Sequence, residues 1–200
     1  MSTSRLESFS DGVIAVAITL LVLNIGVPKP PGRLAHELLE QWPQYAAYVT
    51  SFITIGIIWI NHHAMISRLR EANHVILVLN LVLLMCIVVL PFTTSLMAAY
   101  LKAGRGEGVS AAVYAGSLLV MSLAFAALNR YILLRSAHLL GGELDEDMRR
   151  TILSRNLRGL VPYAVATAVA PFSAPLTLAI CAAIAFYYAL PVASGSGTTA

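Results

Sequence analysis

The sequence predicts an all-α membrane protein of six transmembrane helices, and three observations carry that expectation. First, 58% of the 200 residues are hydrophobic and only 12% are charged, half the roughly 25% of a soluble domain, and mean hydropathy is +0.77. Second, apolar runs recur along the chain, and 200 residues accommodate roughly six spans of about 20 residues with short loops. Third, the runs are separated by short polar or Pro/Gly-rich segments of the kind that end helices.

Helix one is expected over residues 6–27, stopped by Pro28, Pro30, Pro31 and Gly32. Residues 33–41 are polar enough for a short surface helix. Helix two covers 44–67 and ends in Trp59-Ile60-Asn61-His62-His63 and its following turn. Helix three covers 75–101 and contains Pro91, which removes a backbone hydrogen bond and predicts a kink. Helix four covers 109–134. The longest polar stretch, 135–158, predicts an amphipathic helix over 145–156. Helices five (159–172) and six (175–190) are thin by the 20-residue standard. Two spans are favoured there over a re-entrant hairpin because both are apolar. The tail, 194–200, is small and polar and is expected to be disordered, which leaves 1–193 as one six-helix domain.

Charge placement predicts topology and excludes a nucleic-acid partner. The net charge is +3, but the bases lie between apolar runs and form no contiguous patch. With the N-terminus inside, the inner segments hold Arg5, Arg68, Arg70, Arg130, Arg135, Arg149, Arg150, Arg155 and Arg158, against Lys29, Arg33, Lys102 and Arg105 outside. That bias places both termini in the cytoplasm. Cys86 and Cys181 both fall in apolar runs, where a thiol behaves as a small hydrophobe. The N-terminus lacks a small-residue cleavage site and is interrupted by Asp11, so helix one is read as retained.

Two constellations carry chemistry. At about 100° per residue, Phe9, Gly12, Val16, Thr19, Leu20, Leu23 and Val27 form one stripe of helix one, while Ser10 and Asp11 point elsewhere. Any spanning helix has such a stripe, and its ordinary reading is lipid contact or packing. A carboxylate at the membrane boundary needs a partner or water, and Arg5, Ser10, His62 and His63 are candidate partners for Asp11. On helix two, Trp59 and His63 are four residues apart and share a face. Paired histidines raise a metal site, but three or four ligands are needed, and His36, His74 and His138 fall in other segments. No nucleophile elbow, phosphate loop or dinucleotide fingerprint occurs, so no enzyme and no cofactor are expected.

Arg5 with Phe9-Ser10-Asp11, the following Gly12–Leu23 run and the later Trp59…His62-His63 together resemble the bacterial branch of the transmembrane protein 175 potassium channels, related to the lysosomal potassium channel of animals. The resemblance implies a homotetramer in a bacterial inner membrane, with helix one of each subunit lining a central pore and potassium as permeant. It implies apolar rings in place of a carbonyl filter, with Val16 the inner ring, Leu20 and Leu23 further out, and Thr19 supplying hydroxyls for selectivity. Arg5, Ser10, Asp11, Trp59, His62 and His63 are implied to form a structural network. Val16 departs from the bulkier residue usual there, so the gate is either a looser ring at Val16 or lies at Leu20 or Leu23. Two competing readings stay in view. In one, Asp11 and the histidines relay protons, in a proton-coupled transporter or a proton-conducting channel. In the other, His62 and His63 hold a metal in a membrane enzyme.

Overall fold

The computed structural model describes residues 3–29, 32–141 and 146–190, and within them the chain is helical. The elements are α1 (Thr3–Leu20), α2 (Leu34–Glu40), α3 (Trp42–Ile66), α4 (His74–Tyr100), α5 (Glu107–Arg135), α6 (Glu146–Val169) and α7 (Ala174–Ala189). Short 3-10 turns follow α1 (Leu21–Asn24) and α5 (Ala137–Leu139). The expected tail, 194–200, lies outside the described residues.

Local chemistry sets most boundaries. Pro43 sits in the first turn of α3, where its missing N–H costs nothing. Asn73 caps α4 by accepting from the Ile76 N–H at 2.9 Å, and Ser173 caps α7 by accepting from the Leu176 N–H at 3.3 Å. Gly106 precedes α5 with φ 79°, a left-handed conformation that favours glycine. The α3–α4 and α5–α6 turns meet at one end of the bundle. There Arg70 N–H donates to Leu139 O at 2.8 Å, and Gly141 N–H to Arg68 O at 2.7 Å.

Two expectations about helices are corrected. Helix one does not run to Val27 as α-helix, because it tightens into the 3-10 turn at Leu21 and is extended by Ile25. The separate amphipathic helix and the short helix five are one continuous α6. The change from polar to apolar composition near Gly159 misled the division, since hydropathy does not break a helix. Gly159 is accommodated because α7 packs closely there: a Cβ would lie 3.2 Å from the Tyr188 hydroxyl.

Among the described residues, four helices are long and apolar enough to cross a membrane: α1 with its 3-10 extension, α3, α4 and α5. The charged first half of α6 and the 16-residue length of α7 keep those two short of that standard. Both nonetheless pack into the same bundle, α6 against α5 and α7, and α7 also against α3. Tyr114, Leu118, Met121, Leu83, Ile87 and Ile55 are fully buried in the core. Side-chain hydrogen bonds cross it: Ser51 Oγ lies 2.7 Å from Thr94 Oγ1 and 2.9 Å from the Tyr114 hydroxyl, joining α3, α4 and α5. Such hydroxyl pairs are the usual polar adhesive between membrane helices.

Candidate functional site

The two faces of α1 differ sharply. Leu6, Ser10, Ile14 and Ala17, with Leu21 in the turn beyond, are buried against α3 and α4. On the other side Phe9, Gly12, Val16, Thr19, Leu20, Leu23 and Val27 are exposed within the single chain, Val16 at 57% and Leu23 at 75%, against 1% for Ile14 and 0% for Leu21. Ile18 lies between, partly buried against the core. An uncovered apolar stripe on an otherwise packed helix needs lipid, another subunit or a dewetted lumen against it.

Thr19 is the polar residue on that stripe between Val16 and Leu23. Its hydroxyl donates back to Val16 O at 2.8 Å. The donor is therefore consumed within the helix, and the oxygen lone pairs stay available to a cation on the uncovered side.

Behind the stripe, α1 is clasped to α3 and α4. Trp59 Nε1 donates to Asp11 Oδ1 at 2.8 Å, and His63 Nδ1 lies 2.8 Å from Glu7 Oε1. The spacing is complementary: one turn back along α1, from Asp11 to Glu7, corresponds to one turn forward along α3, from Trp59 to His63. The Trp59 and His63 rings are 6.2 Å apart at their centroids. Deeper in the bundle, Asn80 of α4 bridges the other two helices. Its Nδ2 donates to Ser10 Oγ at 3.0 Å, and its Oδ1 lies 2.7 Å from His62 Nε2. Ser10 in turn donates to Leu6 O at 2.8 Å. An amide oxygen can only accept, so Nε2 of His62 carries the proton in this arrangement. His62 Nδ1 is then the bare nitrogen, buried without a hydrogen-bond partner.

The residues singled out from sequence thus sit together at one end of α1 and α3, but their pairing differs from expectation. Asp11 is held by Trp59 and not by Arg5, Ser10 or a histidine. His62 forms its hydrogen bond with Asn80, not with Asp11 or Arg5. Arg5 is exposed and forms no hydrogen bond or ion pair with the described residues. Two clasp residues were missed. Glu7 stands at the same charged mouth of helix one, but the sequence assigns it no partner. Asn80 carried a usable signal, a lone amide inside the apolar run Val75–Leu90, where a polar residue is costly unless paired. Among the described residues no group of three His, Cys, Asp or Glu side chains is placed to hold a metal.

The chain is similar to known channels along nearly its whole length. Residues 5–91, which contain most of α1, all of α2 and α3 and most of α4, match the family described as Endosomal/lysosomal potassium channel TMEM175. A potassium channel of Streptomyces collinus is 44% identical over 188 residues, 93% of this chain and 91% of the relative. The crystal structure of a lysosomal potassium-selective channel TMEM175 homolog from Chamaesiphon minutus superimposes with a TM-score of 0.82 at 36% identity, covering 94% of this chain and 96% of that one. The endosomal/lysosomal proton channel TMEM175 of Gallus gallus is 36% identical over 117 residues, 54% of this chain and 23% of the relative. With that likeness spanning both the clasp and the uncovered stripe, the chain belongs to the TMEM175 family, a family of membrane channels and not of enzymes.

Proposed function

We propose that this chain is a potassium-selective channel of a bacterial inner membrane. It conducts passively through a pore that α1 lines in a homotetramer of six-span subunits, with both termini cytoplasmic. The observation that carries the reading is the uncovered face of α1, apolar from Val16 to Leu23 except for the Thr19 hydroxyl. Four such faces enclose an axis by closed cyclic symmetry. Rings of Val16, Leu20 and Leu23 constrict it and gate by dewetting, and four Thr19 oxygens replace part of the hydration shell of a potassium ion. The clasp of Glu7, Ser10, Asp11, Trp59, His62, His63 and Asn80 fixes the angle at which α1 presents this face. Arg5, which the resemblance puts in the same network, is exposed beside it. The ion is the only small partner required, with no cofactor and no nucleic acid.

The test is potassium flux into liposomes carrying the purified protein, with no proton gradient imposed. Flux that depends on the protein and exceeds sodium flux supports the reading; none overturns it.

Proton conduction is the second reading. The bare Nδ1 of buried His62, whose Nε2 is held by Asn80, favours it, as does the proton-channel name of the chicken relative. Proton flux abolished by His62→Leu, with potassium flux retained, would establish that conductance beside the first.

A further inference from the structure

At its outer end α1 gives way to a 3-10 turn over Leu21–Asn24, starting from Leu20 at φ −66°, ψ −22°. A 3-10 turn advances three residues per turn at about 2 Å each, so residues i and i+3 are eclipsed. Leu20 and Leu23 therefore lie on one line along the helix, about 6 Å apart along its axis. In α winding the same three steps would swing Leu23 about 60° off that line and shorten the separation to about 4.5 Å. Leu20, Val22 and Leu23 are exposed and Leu21 is fully buried, a pattern that either winding allows.

Something must hold the turn, because the α-helix is the better-bonded winding. The Asn24 Nδ2 donates to Pro91 O at 2.8 Å, across to α4. A carbonyl has two lone pairs, so Pro91 O accepts a second donor without leaving its helix. Just beyond, Ile25 N–H closes the turn on Val22 O at 3.1 Å, and Gly26 N–H donates to Gln44 Oε1 of α3 at 3.1 Å. The chain leaving the turn is thus tied to both helices behind it.

We propose that Asn24 is a positioning residue of the conduction path. By donating to the Pro91 carbonyl it holds the 3-10 turn, and so keeps Leu23 directly above Leu20, making the two leucines one two-tier apolar constriction. The proposal rests on the channel reading above and assigns a residue outside the apolar stripe to the geometry of that stripe. The side chain does not touch the ion; it acts through the backbone turn. A net hydrogen bond of this kind corresponds to about a fivefold bias between the two windings.

The experiment uses the full chain in liposomes with Cys86 and Cys181 replaced. Single cysteines at Val22 or Leu23 are treated with a water-soluble thiol reagent while potassium flux is followed. In the Asn24 parent, block through Leu23→Cys is expected to be at least about fivefold faster than through Val22→Cys. In Asn24→Ala, α winding turns Val22 about 40° further from the Val16 line while Leu23 stays within about 40° of it, so the rate ratio is expected to widen severalfold, and Asn24→Gln, which keeps an amide donor, is expected to return it to the parent value. Should Asn24→Ala not assemble, the isosteric Asn24→Asp, which has no N–H to offer, carries the same comparison. A rate ratio unchanged in the donor-less variant overturns the proposal, and so does a glutamine variant that behaves like alanine. Absence of potassium flux in the parent overturns the channel reading itself, an outcome distinct from a conducting parent whose ratio ignores Asn24.

Discussion

Replacing Asn80 by leucine isolates the energetics of the clasp. The side chain is fully buried and makes two hydrogen bonds, accepting from His62 Nε2 and donating to Ser10 Oγ. Leucine keeps most of the volume, so the cavity term is small and the polar term dominates. Ser10 loses one incoming bond but keeps its own donation to Leu6 O, a loss of ~0.5–1 kcal/mol. His62 is left with a buried, unpaired N–H, which costs ~1–3 kcal/mol. Membrane helices moderate such penalties, since measured interhelical hydrogen bonds average ~0.6 kcal/mol and reach ~1.7 kcal/mol. The expected destabilisation is therefore ~2 kcal/mol, nearer the histidine penalty than the serine one. His62→Leu alone leaves the Asn80 oxygen unpaired and should cost a similar amount. The double variant removes both halves of the mismatch and should be more stable than the sum of the singles by ~1 kcal/mol or more, because deleting both partners of a hydrogen bond is nearly neutral. The assay is a double-mutant cycle of detergent-unfolding free energies. Additivity within ~0.5 kcal/mol would refute the pairing on which the clasp depends.

Asp11→Ala should lower assembled yield before it alters ion preference, since it deprives Trp59 of its acceptor while leaving the uncovered stripe intact; a well-assembled variant with changed selectivity, measured by reversal potentials, would give Asp11 a pore role. Thr19→Val should weaken the preference for potassium over sodium at nearly constant side-chain shape, read from the same potentials; an unchanged ratio would remove the hydroxyl from the selectivity mechanism. Leu20→Ser or Leu23→Ser should wet the constriction and raise leak flux, with no rise counting against the apolar gate. The large-to-small change Leu21→Ala, at a fully buried position, should mainly destabilise, by ~2–5 kcal/mol on the scale of soluble cores. Thermal unfolding in detergent tests it, and a stable, leaky Leu21 variant would contradict the assignment of faces.

What the sequence makes legible divides along physical lines. The helices with strong apolar runs and proline, glycine or capping residues at their ends were legible, because hydropathy and capping act locally. Residues 146–169 were misdivided because a charged half and an apolar half share one backbone, and composition alone does not say whether the hydrogen-bond ladder continues. The buried and uncovered faces of α1 follow from a 3.6-residue period, so the stripe was readable once the helix was placed. The pairings were not. Whether Asp11 meets Trp59 or Arg5 depends on the rotation and depth of α1 against α3, which no single-helix period contains. Asn80 bridges residues 70 positions before it and 18 positions before it, and its role is visible only after three helices pack. The 3-10 turn at Leu21–Asn24 was hidden for the same reason, since the hydrogen bond to Pro91 that ties it back comes from tertiary contact and not from the propensity of a leucine-rich segment.

Whether the uncovered face of α1 lines the conduction path is decided by a cysteine scan along residues 13–27. It is run in a background lacking Cys86 and Cys181, with block of potassium flux by a water-soluble thiol reagent as the readout. Block is expected to recur at Val16, Thr19, Leu20 and Leu23, with Ile14, Ile18 and Leu21 protected. Block at Ile14, Ile18 and Leu21, or at no position in a conducting channel, would contradict it.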